Sequence, residues 1–225
     1  MSVLAPLHFA DAREAADLAG FLRRLLRYDR AAAVRLQAGG GALAVFGRPP
    51  SFEVLAIRTA RLVDEALVLD VTVSAGELLE GVEESAGKAV VPAAVTGPPW
   101  AGVLPPRGGW RAVEDVPSGA ALRAAVAAAV AEFRARDEAL PEERRTREER
   151  DRIGREIWSR TVGTTGLPLR AVHAAQSLGF LPSPDVSVTV LAAGPWLRLR
   201  TPYGSIALRT APPLGLTVTP APAAS

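Results

Sequence analysis

Glu77, Glu80, Glu83 and Glu84 recur at spacings of one to three residues in SAGELLEGVEES, which places carboxylates along one side of a helix. Paired carboxylates at such spacing can do acid/base work or hold a divalent cation. No His, Asn or second Asp cluster accompanies them, so the pattern reads as a solvated acidic helix face. Covalent catalysis by a Ser or Thr needs a base in reach, and the only imidazoles are His8 and His173. Neither lies in a nucleophile-elbow setting, and the two have no metal-ligand spacing. The chain has no Cys, which removes thiol nucleophiles, thiolate metal sites and disulfides together. These observations predict no catalytic residue, no metal site and no cofactor. A hydrolase or transferase built around the acidic helix remains as an alternative without a motif.

The segment with the strongest recognition character is GPPWAGVLPPRGGW, residues 97–110, with four prolines, four glycines and two tryptophans. Two Pro-Pro pairs bias it toward extended polyproline-like geometry and exclude a helix or a central strand. Indoles are costly to leave in water, so Trp100 and Trp110 must either fold back onto the domain or meet a partner. Arg107 lies between them, available for cation–π or carboxylate contacts. Trp100, Arg107 and Trp110 are therefore the candidate binding residues.

A second set points to a different chemistry. Arg170, His173 and Gln176 recur at threes on one predicted helix, as a recognition helix would present them to base edges, and Arg198 and Arg200 share one face of the strand that follows. A helix followed by a β-hairpin, here residues 167–204, resembles the recognition helix and wing of winged-helix DNA-binding proteins, which makes Arg170, His173, Arg198 and Arg200 an alternative nucleic-acid surface. Arg198 and Arg200 do not stand at the tip of the hairpin, so nucleic acid is the less favoured partner.

The elements that must position these groups come in two similar units, about 11–60 and 167–211. Asp11 with Glu14 has capping-box spacing, and Leu18, Phe21, Leu22, Leu25 and Leu26 form one stripe of a 3.6-residue period. Arg23, Arg24 and Arg27 fall off that stripe. Strands are predicted at 34–38, 42–47 and 53–59, with a turn at Gly39, Gly40 and Gly41 that joins strands and opens no helix, and so is no dinucleotide fingerprint. A helix with a sparser stripe (Leu169, Val172, Leu178) and strands at 186–191, 196–201 and 205–210 repeat the arrangement. Aligning Gly41 with Gly194 also aligns Pro49 with Pro202, and after a two-residue gap LAIRTA (55–60) falls on IALRTA (206–211). Between the units the pattern predicts a strand at 67–73, a helix capped by Ser74 and Glu77 and closed at Gly87, a short strand at 89–95, an Ala-rich helix from Ser118 to about Asp137, and a charged helix from Pro141 to Arg160 laced by i,i+4 pairs. Thr165 is the predicted cap of the last helix. The expected fold is α+β: one pseudo-duplicated domain, residues 1–211, in which helices cover one face of a largely antiparallel sheet, followed by a Pro/Ala-rich tail, 212–225.

Composition narrows the function classes. The formal net charge is only +2, so the high isoelectric point reflects few mid-range titrating groups and carries little argument for phosphate binding. Residues 1–50 carry a net +3, 51–100 a net −5, 101–160 a net +1 and 161–225 a net +3. All but one of the basic residues are Arg and Asn is absent, as a bacterial GC-rich coding sequence would give. No apolar run approaches the roughly 20 residues of a membrane span, and the first residues lack a secretory signal pattern, which together predict a cytoplasmic protein. The sequence thus favours a non-enzymatic interaction or regulatory protein that binds a protein partner and self-associates.

Overall fold

The computed structural model describes residues 6–210. The tail predicted at 212–225 lies outside them. In chain order the elements are β1 (Leu7–His8), α1 (Ala12–Tyr28), β2 (Ala33–Gly39), β3 (Ala42–Gly47), β4 (Leu55–Arg61), β5 (Leu69–Ser74), α2 (Ala75–Glu80), β6 (Val82–Glu83), β7 (Lys88–Ala89), β8 (Arg111–Ala112), α3 (Gly119–Glu138), α4 (Arg147–Trp158), α5 (Leu169–Ser177), β9 (Thr189–Ala193), β10 (Trp196–Thr201) and β11 (Gly204–Arg209). Eight strands form one antiparallel sheet in the order β5-β2-β3-β4-β11-β10-β9-β8, and β1, β7 and β6 form a small second sheet. The architecture is the α+β, pseudo-duplicated one the sequence predicts.

The symmetry has its centre where β4 meets β11, with Ala56 opposite Ile206. On either side lie a hairpin, a further strand and a covering helix: β4-β3-β2 with α1, β11-β10-β9 with α5. Strand alternation then corrects the alignment of the two units. Leu43, Val45 and Ala56 face the helices, as do Leu197, Leu199 and Ile206, whereas Phe46, Leu55, Trp196 and Ala207 face the other way. Equating Gly41 with Gly194 sets Leu43 on Trp196, and equating LAIRTA with IALRTA sets Leu55 on Ile206, so both pairings join opposite faces. The correspondence that preserves the faces sets Leu43 on Leu197 and Ala56 on Ile206. The duplication lies in topology and burial pattern, and the literal residue match is one position out, because a one-residue slip in a strand exchanges its two faces.

On the helix side, α1 buries Leu18, Phe21, Leu22 and Leu25 almost completely. Each is worth roughly 2 kcal/mol of apolar transfer. Asp11 caps the helix, accepting a hydrogen bond from the Glu14 N–H at 3.0 Å. α5 packs on β10 and β11, and Phe180, just beyond it, stacks on Phe21 at 5.7 Å, joining the two halves through one core.

Several local expectations give way to tertiary pairing. The helix opened by Ser74 ends at Gly81 instead of Gly87, because Val90 donates its N–H to the Gly81 carbonyl at 2.9 Å and the chain crosses there too closely for a side chain. Residues beyond it turn into the β6–β7 hairpin. Of the strand predicted at 89–95 only Ala89, paired within Lys88–Ala89, and an isolated bridge between Ala94 and Val73 form, since Pro92 in the middle of the segment has no N–H to give a ladder. Thr165 does not cap α5; its hydroxyl donates to the Val162 carbonyl at 2.7 Å and accepts from the Leu167 N–H.

The charged helix expected from Pro141 is broken into a 3-10 turn at Glu142–Arg144 and α4, which starts at Arg147 with Thr146 as its cap. Its ion pairs run across to α3 as well as along its own surface, where Arg152 donates to both oxygens of Glu149 at 2.8 and 3.0 Å. Arg136 grips Glu156 with two N–H bonds of 2.7 and 2.8 Å, Arg160 reaches Glu132, and Arg150 reaches Asp137 at 2.7 Å. Of the i,i+4 pairs that the sequence predicts with the acid first, Glu143–Arg147, Glu148–Arg152, Asp151–Arg155 and Glu156–Arg160, only the last forms. Hydrogen bonds from Arg152 hold the Glu149 carboxyl down at about 2, and those from Arg136 do the same for Glu156. A carboxylate whose folded-state pKa is depressed stabilises the fold above its ordinary range and loses that contribution as pH falls toward the depressed value. We therefore expect Glu149 and Glu156 to titrate near pH 2 in a carboxyl-carbon NMR titration, with the α3–α4 pairing intact at pH 4. Midpoints near 4 would show that the pairs do not persist in solution.

Candidate functional site

The sheet's second face, away from the helices, carries an apolar patch of Phe46, Leu55, Ile57, Trp196 and Ala207. The Pro/Gly/Trp segment is what covers it. Its start is tied to one edge of the sheet, where the Val95 N–H donates to the Thr72 carbonyl at 2.9 Å next to the Val73–Ala94 bridge. Its end is tied to the opposite edge, where β8 pairs with Leu191 and Ala192 of β9 and the Val113 N–H donates to the Val190 carbonyl at 2.9 Å. Residues 94–113 thus run as a strap over this face from β5 to β9, their last residues forming β8 itself. Stiff Pro-Pro pairs suit that role, since they keep the chain extended at little further entropic cost.

Trp100, Leu104 and Trp110 are the points where the strap packs onto the patch. Trp100 sits in a 3-10 turn, Pro99–Gly102, held from below by Arg35 of β2, whose guanidinium donates to the Ala101 carbonyl. The same guanidinium donates to both oxygens of Asp70 at 2.7 and 2.9 Å, and the Gln37 amide adds a third bond at 3.0 Å. Hydrogen bonding from Arg35 lowers the Asp70 pKa below the usual carboxylate range. Trp110 satisfies its own indole N–H on the Pro106 carbonyl at 2.9 Å, closing a tight turn that carries Arg107. Its ring lies 5.8 Å from the Arg198 guanidinium.

Arg198 is a half-buried cation of this face whose partners carry no negative charge. One terminal nitrogen donates to the Ser205 hydroxyl at 2.9 Å, while its Nε–H is buried without a hydrogen-bond partner. Burial, reinforced by the neighbouring charge of Arg200, lowers its pKa. Between the strap and strands β2, β3 and β4 an open groove of about 360 Å³ remains. Phe46, Ile57 and Ala44 form its floor, Pro105 and Pro106 one wall, and Gln37, Thr59, Arg107 and Arg198 supply its polar groups. Among the described residues no carboxylate lines it.

The structure brings Trp100, Arg107 and Trp110 to this one face together with Arg198 and Arg200. It does not bring Arg170 and His173 there. Those two stand on α5, across the sheet: Arg170 lies 3.7 Å from Glu53, and His173 is stacked on Trp158 at 4.4 Å with Phe52 against its edge. Desolvation lowers the His173 pKa, which favours the neutral ring. The four residues of the alternative nucleic-acid surface therefore do not form one patch, and the supposed wing is interior to an eight-stranded sheet. The acidic helix face disperses too, with Glu83 in β6 and Glu84 paired to Arg23 of α1.

Arg35, Gln37, Phe46, Ile57 and Thr59 were not singled out by sequence. Their signal is the period-2 alternation of β2, β3 and β4, which assigns them to one face but not to a site.

Among solved structures, the chain is similar to a DNA polymerase sliding clamp from Pseudomonas aeruginosa, crystallised with ligand, at 14% identity and a TM-score of 0.46, covering 88% of this chain and 62% of that one. The chain thus spans less than two thirds of the length of that clamp. No curated protein matches it in sequence. No helix among the described residues is long and apolar enough to cross a membrane. Residues 3–102 match the family model of a domain of unknown function, DUF8010, and residues 105–213 match that of a second, DUF8185, so that the two families meet within the strap.

Proposed function

We propose that this protein is a non-enzymatic binding protein that self-associates, with the strap and the second face of the sheet as its contact surface. The observation that supports this best is the strap itself. Two tryptophans and two Pro-Pro pairs pin it across the sheet, yet it leaves a groove open beside it and presents Val95 and Val103 to solvent, 39% and 47% exposed. A segment serving only as a cover would bury its apolar side chains and close over the floor. The two halves act as one body in this reading, because the sheet runs unbroken through β4 and β11 and the strap ties its two edges.

Sedimentation over a hundredfold range of micromolar concentrations tests the reading. The wild-type chain is expected to show a concentration-dependent sedimentation coefficient, and Val103→Glu to shift it at least tenfold in concentration toward the monomer with unchanged thermal stability, since Val103 is exposed and supports no core. Trp110→Ala, removing a half-buried indole, should cost about 2 kcal/mol, less than a fully buried Trp, and should weaken association further. A strictly monomeric wild type, or association indifferent to both substitutions, would remove the strap as the contact surface.

A further inference from the structure

We propose that the groove between the strap and β2–β4 binds a small organic acid, an apolar aliphatic or aromatic body ending in one anionic group. The inference rests on reading the strap face as a binding surface, and adds the chemistry of its ligand. Three observations carry it. The floor is apolar and partly aromatic, with Phe46 and Ile57, and its volume of about 360 Å³ falls within the range typical of small-ligand sites. Two guanidiniums, Arg107 and Arg198, reach the groove while among the described residues no Asp or Glu lines it, so an apolar ligand with a negative end meets complementary charge and no repulsion. Arg198 is half-buried without a carboxylate partner: its contacts are a neutral hydroxyl and an indole, its buried Nε–H is unpartnered, and a second cation, Arg200, follows two residues later on the same strand face. An anion at its free terminal nitrogen would supply the missing countercharge through a charge-assisted hydrogen bond. Asp70, on the neighbouring β5, is already held by hydrogen bonds from Arg35 and Gln37, and Arg107 acts on it only through longer-range charge, with no hydrogen bond between them. Gln37 and Thr59 add polar groups that fix orientation along the rim.

Two other clefts carry their own countercharges. The cleft beside α1 mixes Arg13, Arg58 and Arg61 with Asp11, Glu14 and Asp17, so its charges compensate internally. The cleft at the β5 edge has Arg48 set against Asp29.

The test compares two fluorescent probes of the same aromatic body on the full chain: 8-anilinonaphthalene-1-sulfonate, an anion, and N-phenyl-1-naphthylamine, its neutral analogue. The anion is expected to bind at least tenfold more tightly and to be displaced by octanoate but not by octanol. Arg198→Gln and, separately, Arg107→Gln should each weaken the anion at least fivefold while leaving the neutral probe unchanged. Arg107 stands on the exposed turn of the strap, so its variant keeps the test valid if Arg198→Gln perturbs folding, which the melting temperature reports. Equal binding of both probes, insensitive to either arginine, would overturn the organic-acid assignment while leaving an apolar contact surface in place. Binding of neither probe to a folded chain would overturn the assignment as well, and if Val103→Glu also left sedimentation unchanged, the binding reading beneath it would fall with it.

Discussion

Arg58→Ala is expected to lower the unfolding free energy by about 3 kcal/mol, the lower end of what breaking a buried ion pair costs. Arg58 is 7% exposed and points from β4 into the helix side of the sheet. One terminal nitrogen donates to Asp17 at 2.8 Å, the other to the Tyr203 carbonyl at 2.6 Å, and Glu14 lies 3.9 Å away. It therefore ties α1, β4 and the β10–β11 turn with one planar group. Removing it leaves the Tyr203 carbonyl without this donor and two carboxylates without their shared cation. Asp17 remains partly hydrated, which keeps the cost from rising higher. Chemical denaturation with an unchanged m-value is the measurement. A loss below about 0.5 kcal/mol would show that the guanidinium is as well solvated in the unfolded chain as it is bound in the folded one. Arg58→Lys should recover only part of the loss, since one ammonium cannot span both partners with the fork geometry of a guanidinium.

Gly204→Ala is the second large effect. Gly204 opens β11 opposite Thr201 with φ of +152°, and a Cβ there would stand 2.5 Å from the Phe180 ring. Phe180 cannot withdraw, because it is buried and stacked on Phe21. Overpacking of this kind costs roughly 1–3 kcal/mol, and backbone strain adds about 1–3 more, so the variant should lose at least about 3 kcal/mol. Gly194→Ala separates the two contributions. Its φ is +53°, but a Cβ there meets nothing within 4 Å, so only the left-handed backbone cost of roughly 1–2 kcal/mol applies. Phe180→Leu combined with Gly204→Ala should then be less damaging than the sum of the two changes, as contacting sites couple. Additive losses would mean that the ring is not what the new methyl meets.

Much of the fold was legible because its signals are local. The α1 stripe and its Asp11 cap, the alternation of β2, β3 and β4, the Gly-centred turns and the Ala-rich α3 each follow from periodicity or backbone preference within a few residues. The duplication was legible for the same reason, as a repeated order of helix and hairpin. Its residue register was not, because Ala, Arg and Thr recur often enough to align by composition, while facing is settled only by which strand lies opposite. Where the chain pairs with something distant, local reading stopped short. Gly81 ends α2 because Val90 lies against it, and Arg150 and Glu156 of α4 find partners on α3 that no i,i+4 spacing reveals.

The candidate site divides in the same way. From the sequence alone came that residues 97–110 are extended, that their indoles need cover, and that Arg107 stands between them, since Pro stiffness and the hydration cost of Trp are properties of the residues themselves. Tertiary structure alone decided that the cover is the back of the sheet, that the strap is fastened at both edges, and that Arg198 and Arg200 share its face while Arg170 and His173 lie across the sheet on α5. The reason is physical: a strand carries its side chains to two opposite sides, a helix packed on one of them hides nothing on the other, and which residues meet then depends on pairings between segments more than a hundred residues apart.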